Sequence, residues 1–216
     1  MNNVVAVVDY GVGNLFSVRR ALEHCGATVV MVEDPQKLKQ ASKVLLPGVG
    51  AFPDAMTALN RNGMDQAVIE YARTGAPLFG ICLGMQMLLD SSSEFGFVHG
   101  LGLIAGTVEP IPACDASGKR LKVPHIGWSD LVYPKGRDSW DGTLLSSIGL
   151  SNNAVYFVHS YMAVTASQEH RIADCQYGDT SIAAVIAKDN VWGAQFHPEK
   201  SGKVGLSMLR NFVNLA

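Results

Sequence analysis

The sequence predicts an α/β protein with a central, mostly parallel sheet and a β-rich second half. Three observations carry that prediction. In the first half, short apolar runs of strand length alternate with stretches of helical periodicity, the pattern of a sheet covered by helices. Strands separated by helices in this way run parallel, because a parallel pair needs a long crossover. After about Gly96 the character changes to short β-rich pieces bounded by glycine and proline.

Val4 to Asp9 reads as the first strand. Asn14 opens a helix with Leu15, Val18, Leu22 and Cys25 on one face, and Gly26 supplies its stop. Thr28 to Val32, Val44 to Leu46 and Pro77 to Ile81 are further strands, with helices near Phe52 to Asn60 and Met64 to Arg73. Beyond Gly96, strands are expected at Gly106 to Ile111, Lys122 to Val123, Ala154 to His159 and Arg171 to Gln176. Ser181 to Ala187 and Val191 to Phe196 flank Lys188-Asp189-Asn190 as a hairpin. A final helix carries Val204, Met208, Phe212 and Leu215 on one stripe. The glycine- and serine-rich stretch Gly136 to Leu150 reads as a surface loop with no assignable chemistry. With 216 residues, 48% of them hydrophobic, and no linker or repeat, residues 1–216 fit one domain with one well-buried core.

The most informative stretch is Gly80-Ile81-Cys82-Leu83-Gly84, at the end of the apolar run Ala76 to Ile81 and before the helix-like Met85-Gln86-Met87-Leu88-Leu89. It reads as a nucleophile elbow with sulfur in place of the serine oxygen. The two glycines allow a sharp strand-to-helix turn, which holds the intervening residue in a strained, exposed pose. A helix starting just after the sulfur favours thiolate. A thiol also needs a base, and the base needs a third group to fix its tautomer. His197 and Glu199 of Gln195-Phe196-His197-Pro198-Glu199 fill those roles at the end of another apolar segment. In Pro47-Gly48-Val49-Gly50, glycines at the mouth of a strand expose backbone N–H groups of the kind that stabilise an oxyanion. Elbow geometry makes the Leu83 N–H the other donor.

The order Cys82, His197, Glu199, with G-I-C-L-G and F-H-P-E as written, resembles the class I (triad-type) glutamine amidotransferases. Asp9 to Asn14, Leu46 to Phe52, Val123-Pro124-His125-Ile126-Gly127-Trp128 and Tyr156-Phe157-Val158-His159-Ser160-Tyr161 narrow it. Together they look like the family of glutaminase subunits of imidazole glycerol phosphate synthases. That resemblance implies a flavodoxin-like three-layer fold and hydrolysis of L-glutamine to glutamate and ammonia. It further implies a heterodimer with a (β/α)8-barrel cyclase that receives the ammonia in histidine biosynthesis. It makes Val49, Gly50 and Leu83 oxyanion residues, with the peptide at Val49 reorienting on activation. It makes Gln86, Glu94, His159, Ser160 and Tyr161 glutamine-binding residues, and it places Asn14, Trp128, Tyr156 and Lys200 near the partner surface. His125 stands as a structural histidine. Two alternatives remain at this level: a paralogue feeding a cyclase-like partner in surface-polysaccharide sugar synthesis, and a catalytically silent regulatory subunit.

Other chemistry finds little support. A formal net charge of -2, with no basic block, argues against nucleic-acid binding. Gly11-Val12-Gly13 and Gly48-Val49-Gly50 lack the third glycine of a dinucleotide fingerprint, Phe16 and Pro53 occupying its place. His197-x-Glu199 is not followed by the P-C-x-x-C of a zinc deaminase, so neither metal nor other cofactor is expected. Cys25, Cys82, Cys114 and Cys175 lie far apart, as in proteins of a reducing compartment. The N-terminal run Val4 to Val8 is too short for a signal peptide or a membrane span, so a cytoplasmic location away from membranes is expected.

Overall fold

The computed structural model describes residues 3–215. In chain order the strands are β1 (Val4–Val8), β2 (Thr28–Val32), β3 (Val44–Leu46), β4 (Leu78–Ile81), β5 (Ser91–Ser92), β6 (Val98–His99) and β7 (Gly106–Pro110). They continue with β8 (His125–Asp130), β9 (Ala154–His159), β10 (Tyr161–Thr165), β11 (Arg171–Tyr177), β12 (Thr180–Lys188) and β13 (Val191–Ala194). The α-helices are α1 (Leu15–His24), α2 (Pro35–Leu38), α3 (Phe52–Asn60), α4 (Met64–Arg73), α5 (Leu83–Met87) and α6 (Gly202–Val213). Among the described residues, no helix is long and apolar enough to cross a membrane.

The central 7-stranded sheet has the order β11-β12-β13-β4-β3-β1-β2. Neighbours from β13 through β2 run parallel, whereas β11, β12 and β13 are joined antiparallel. The side-chain period of two sends alternate residues of each strand to opposite faces. Val5, Val7, Leu45, Phe79 and Ile81 pack under α1 and α6, while Ala6, Val8, Val44, Leu46 and Leu78 pack under α3, α4 and α5. Two apolar clusters on either side of one sheet are the three layers expected of the sequence.

A 4-stranded sheet, β10-β7-β5-β6, and the antiparallel pair β8-β9 make up the β-rich second half together with β11, β12 and β13 of the central sheet. Two expectations need correction here. No strand forms at Lys122 to Val123; the strand begins at His125, after Pro124, which has no N–H to give to a ladder. The stretch Gly136 to Leu150 is irregular but not a simple surface loop. Trp140, Leu144 and Leu145 are buried, and the Trp140 indole donates to the Ile172 carbonyl at 2.8 Å. Glycines and serines set its turns, while Trp140 and the adjacent pair Leu144-Leu145 anchor it in the core.

Candidate active site

The site sits where β4 and β13 end side by side. These strands pair in parallel register, and the Cys82 N–H donates to the Ala194 carbonyl at 2.7 Å. Cys82 adopts φ 54 and ψ -112, a conformation that costs a non-glycine residue about 1–3 kcal/mol. The turn into α5 survives because of its flanking glycines. A Cβ on Gly80 would come within 2.6 Å of the Gly84 carbonyl oxygen, and one on Gly84 would overlap the Leu46 carbonyl oxygen. α5 itself has only 5 residues. Its dipole is therefore small, and most of what acts on the sulfur comes from side chains.

His197 follows β13 by three residues, and its ring lines the same pocket as the Cys82 thiol, close enough for the sulfur to act on its protonation. Its Nδ1–H donates to Glu199 Oε1 at 2.8 Å, which leaves Nε2 for the sulfur. Burial alone would lower the basicity of this histidine. The hydrogen bonds to Cys82 and Glu199 and the charges of both outweigh it, and the pKa is raised to about 9. The Glu199 carboxylate is almost fully buried, and its Oε2 has no hydrogen-bond partner among the described residues. Its charge thus falls on the imidazole alone. Pro198 starts the short turn Pro198–Lys200, which folds Glu199 back beneath His197. The His197 backbone is held on both sides: its N–H donates to the Tyr156 carbonyl at 3.0 Å, and the Ser201 hydroxyl donates to its carbonyl at 2.7 Å.

A cavity of about 310 Å³ opens over the sulfur. Val49, Gly50, Cys82, Leu83, Gln86, Glu94, His159, Ser160, Tyr161 and His197 all reach it, together with Pro124 and Val158. The structure thus brings every residue expected for the nucleophile, oxyanion and glutamine-binding roles to one pocket. Gly50 lies at φ +95, a conformation that glycine alone adopts freely, and neither the Val49 nor the Gly50 N–H donates to another described group. Both nitrogen-bound hydrogens of Gln86 are used within the protein, on the Tyr161 carbonyl at 3.0 Å and on Gln195 Oε1 at 2.9 Å. Gln86 therefore offers a ligand only its carbonyl oxygen. Glu94 gives Oε2 to the Phe52 N–H at 2.7 Å, so it also fixes the start of α3.

His159 donates from Nδ1 to the Tyr161 carbonyl at 2.8 Å. Its Nε2 accepts from His125 Nδ1–H at 3.2 Å, and His125 Nε2 accepts from the Ser129 hydroxyl at 3.0 Å. This is the arrangement open to two neutral rings. Burial, with the charges of His125 and His197, lowers the His159 pKa to about 4, and burial lowers that of His125 as well. The structural role expected of His125 is thus a specific one: it holds the ring that lines the pocket.

None of the residues expected near a partner, Asn14, Trp128, Tyr156 and Lys200, lines the pocket; Lys200 ends the Pro198–Lys200 turn. α1, capped by the Asn14 side chain on the Ser17 N–H at 3.4 Å, packs against that turn, as does β9. Trp128 and Tyr156 are register partners on the outer face of the β8-β9 pair, their rings 6.0 Å apart. Trp128 is 58% exposed and Ile126 beside it 55%, so two large apolar side chains stand next to each other on this face. Lys200 is exposed and forms no ion pair among the described residues. Two buried polar residues of the site carried no expected role. Ser201 ties His197 to β9, as its hydroxyl also accepts from the Tyr156 N–H at 2.9 Å. Gln195, fully buried, points its amide nitrogen at Cys82 Sγ from 3.8 Å. A polar residue ending an apolar strand is the signal that could have drawn attention to Gln195.

Comparison with known proteins agrees with this geometry. The sequence model of the family "Glutamine amidotransferase class-I" matches residues 6–215. The "Imidazole glycerol phosphate synthase subunit HisH 1" of Legionella pneumophila (strain Lens) is 47% identical over 211 residues, 98% of this chain and 99% of that one. The "Imidazole glycerol phosphate synthase subunit HisH" of Geobacillus sp. (strain WCH70) is 44% identical over 212 residues, 98% of this chain and 97% of that one. In fold, the chain is similar to a solved structure described as PurLQS from Thermotoga maritima, with a TM-score of 0.69 at 20% identity, covering 99% of each chain. A family match over nearly the whole chain, on a fold that brings Cys82, His197 and Glu199 together, makes this chain a member of the class I glutamine amidotransferase family.

Proposed function

We propose that this chain is the glutaminase subunit of an imidazole glycerol phosphate synthase, hydrolysing L-glutamine and passing ammonia to a (β/α)8-barrel cyclase partner in histidine biosynthesis. The observation that carries the glutaminase chemistry is Cys82 and His197 side by side in one pocket, with Glu199 hydrogen-bonded to His197 from behind. The narrower assignment rests on relatives of that description at 47% and 44% identity over nearly the full chain.

His197 takes the thiol proton, and the Cys82 thiolate attacks the side-chain carboxamide carbon of glutamine. The developing oxyanion receives N–H donors from Leu83 and from the Val49–Gly50 segment. The C–N bond breaks as His197 gives its proton to the leaving nitrogen, so ammonia departs and a glutamyl thioester remains. Water, deprotonated by His197, then attacks the thioester, the C–S bond breaks, and glutamate leaves. Glu199 keeps the Nδ1–H of His197 in place and supports its cationic form through both halves. Gln86, Glu94, His159, Ser160 and Tyr161 line the space for the amino-acid end, where the carboxylate of Glu94 suits an ammonium group.

Free ammonia is largely protonated near neutral pH and then has no lone pair for attack, so delivery must be sheltered. Val158 borders the cavity and lies on β9 beside the exposed Trp128 and Ile126, the face we assign to the cyclase. Asn14, Tyr156 and Lys200 belong to the same face, around the Pro198–Lys200 turn. The test is a complex of this chain with a purified barrel cyclase, assayed with glutamine and with ammonium salt as nitrogen source. Cys82→Ala is expected to abolish the glutamine-dependent reaction and leave the ammonium-dependent one. Loss of both in a folded complex, or survival of glutamine turnover, would refute this division of labour.

A further inference from the structure

Gln195 lies outside the proton relay that the triad provides, yet it meets the nucleophile. Its backbone N–H donates to the Ala184 carbonyl of β12 at 2.9 Å, fixing its position just beyond β13. The orientation of its amide follows from a chain of polarity that starts at a backbone carbonyl. The Tyr161 carbonyl can only accept, so Gln86 must turn its nitrogen toward it, at 3.0 Å. That same nitrogen donates to Gln195 at 2.9 Å, so Gln195 must present its oxygen there. Its NH2 group is then left to face Cys82 Sγ at 3.8 Å. Gln195 is completely buried, so water cannot substitute for either contact.

We propose that Gln195 is a further catalytic residue: its amide N–H hydrogen-bonds to the Cys82 sulfur and stabilises the thiolate both before attack and as it leaves the thioester. A hydrogen bond to a charged acceptor is stronger than one to a neutral acceptor, so this contact favours S⁻ over SH. In the second half-reaction, water adds to the thioester carbon and the C–S electron pair returns to sulfur. The Gln195 N–H is already aimed at that charge, without reorganisation. The other ionisable groups around the sulfur are His197 with Glu199 behind it, Tyr10 from the turn after β1, and His159 and Glu94 across the cavity. Tyr10 spends its hydroxyl hydrogen on the Pro47 carbonyl at 2.8 Å, and neutral His159 spends its own on Tyr161. Gln195 is thus the neutral side chain that gives the sulfur a permanent donor, independent of the protonation of His197.

This inference deepens the proposed glutaminase mechanism and rests on Cys82 as its nucleophile, but its readout is the charge on sulfur and not turnover. Alkylation of Cys82 by iodoacetamide is followed against pH by peptide mass spectrometry, with the exposed Cys114 as internal reference. In Gln195→Met, which keeps length and removes the donor, the Cys82 midpoint is expected to rise by about 1 pH unit. Alkylation below the midpoint then slows about tenfold, while Cys114 is unchanged. Gln195→Glu keeps an acceptor for Gln86 and replaces the donor facing sulfur by a carboxylate oxygen. It is expected to raise the midpoint at least as far and to lower kcat with little change in KM. Wild-type midpoints in both folded variants would overturn the proposal. A measurement on the unaltered protein covers variants that do not fold: the Gln195 side-chain amide resonances should move with the midpoint of Cys82 alkylation and stay still in Cys82→Ala. Amide resonances that ignore thiol ionisation would overturn it as well. Cys82→Ala retaining glutaminase activity would remove the nucleophile itself, a different failure from either of these.

Discussion

Glu199 sets a full negative charge 2.8 Å from the Nδ1 of His197 and has no other hydrogen-bond partner among the described residues. Glu199→Gln keeps the shape of the contact and removes the charge. The expected result is a fall in kcat of about one to four powers of ten, read from steady-state glutamate release; a change within about twofold would show that the charge is not used. The same pair leaves a mark on stability. A histidine whose pKa rises from 6.5 unfolded to about 9 folded holds its proton more tightly in the native state. Its contribution is complete below 6.5 and is lost as pH rises through about 9. Urea-unfolding midpoints should therefore fall across that window more steeply in the wild type than in Glu199→Gln. His159 has the opposite sign. Its folded pKa of about 4 lies below 6.5, so its neutral state supports the fold above 6.5 and that support is lost as pH falls through about 4. His159→Gln should flatten the acid limb of the same titration. The triad was legible in the sequence because each member sits in a short motif with its own chemical logic. Gln195 and the His125–His159 pairing were not, since what they do depends on which residues lie opposite across strands that are distant in the chain.

At the scale of elements, the elbow is a contact between three backbones. β4 turns into α5 directly against the end of β3, and Gly84 fills the space where any side chain would meet the Leu46 carbonyl. Gly84→Ala should cost about 3 kcal/mol or more by overpacking, measured as a drop in the denaturation midpoint, because the obstacle is backbone and cannot swing away. Gly63→Ala, where nothing lies within 4 Å of the added carbon at φ +69, bears only the backbone term and is expected to cost less. An equal effect at both positions would mean that the elbow is not close-packed. The parallel core of the sheet was readable because buried strands are apolar runs separated by amphipathic helices. The β-rich half was less so. β8 alternates small, aromatic and polar residues around one buried histidine, and its start is set by Pro124. The anchoring of Trp140 in a turn-rich segment has no periodic signature, because irregular backbone leaves none.

For the whole molecule, the distribution of surfaces bears on control. The pocket lies at the ends of β4 and β13, while the exposed apolar face formed by Ile126, Trp128 and Tyr156 reaches it through Val158 and the Pro198–Lys200 turn. A partner seated on that face touches both the backbone that carries His197 and one wall of the cavity. The Val49–Gly50 segment is able to respond, because Gly50 tolerates either sign of φ and the Val49 N–H is committed to no other group among the described residues. Through this segment, a ligand on the partner raises the rate by favouring the state that donates to the oxyanion, and a hundredfold gain needs about 2.7 kcal/mol of coupling. The isolated chain is accordingly expected to be a poor glutaminase, faster with the cyclase and faster again with the cyclase and its nucleotide substrate. Trp128→Ala should weaken the complex and lower partner-stimulated turnover at subsaturating cyclase, without altering the rate of the chain alone. The measurement is glutamate release under the three conditions for both proteins. Equal rates throughout would mean that the Val49–Gly50 segment is fixed in its donating state, and the chain would then act as a free-standing amidase rather than as one half of a coupled synthase.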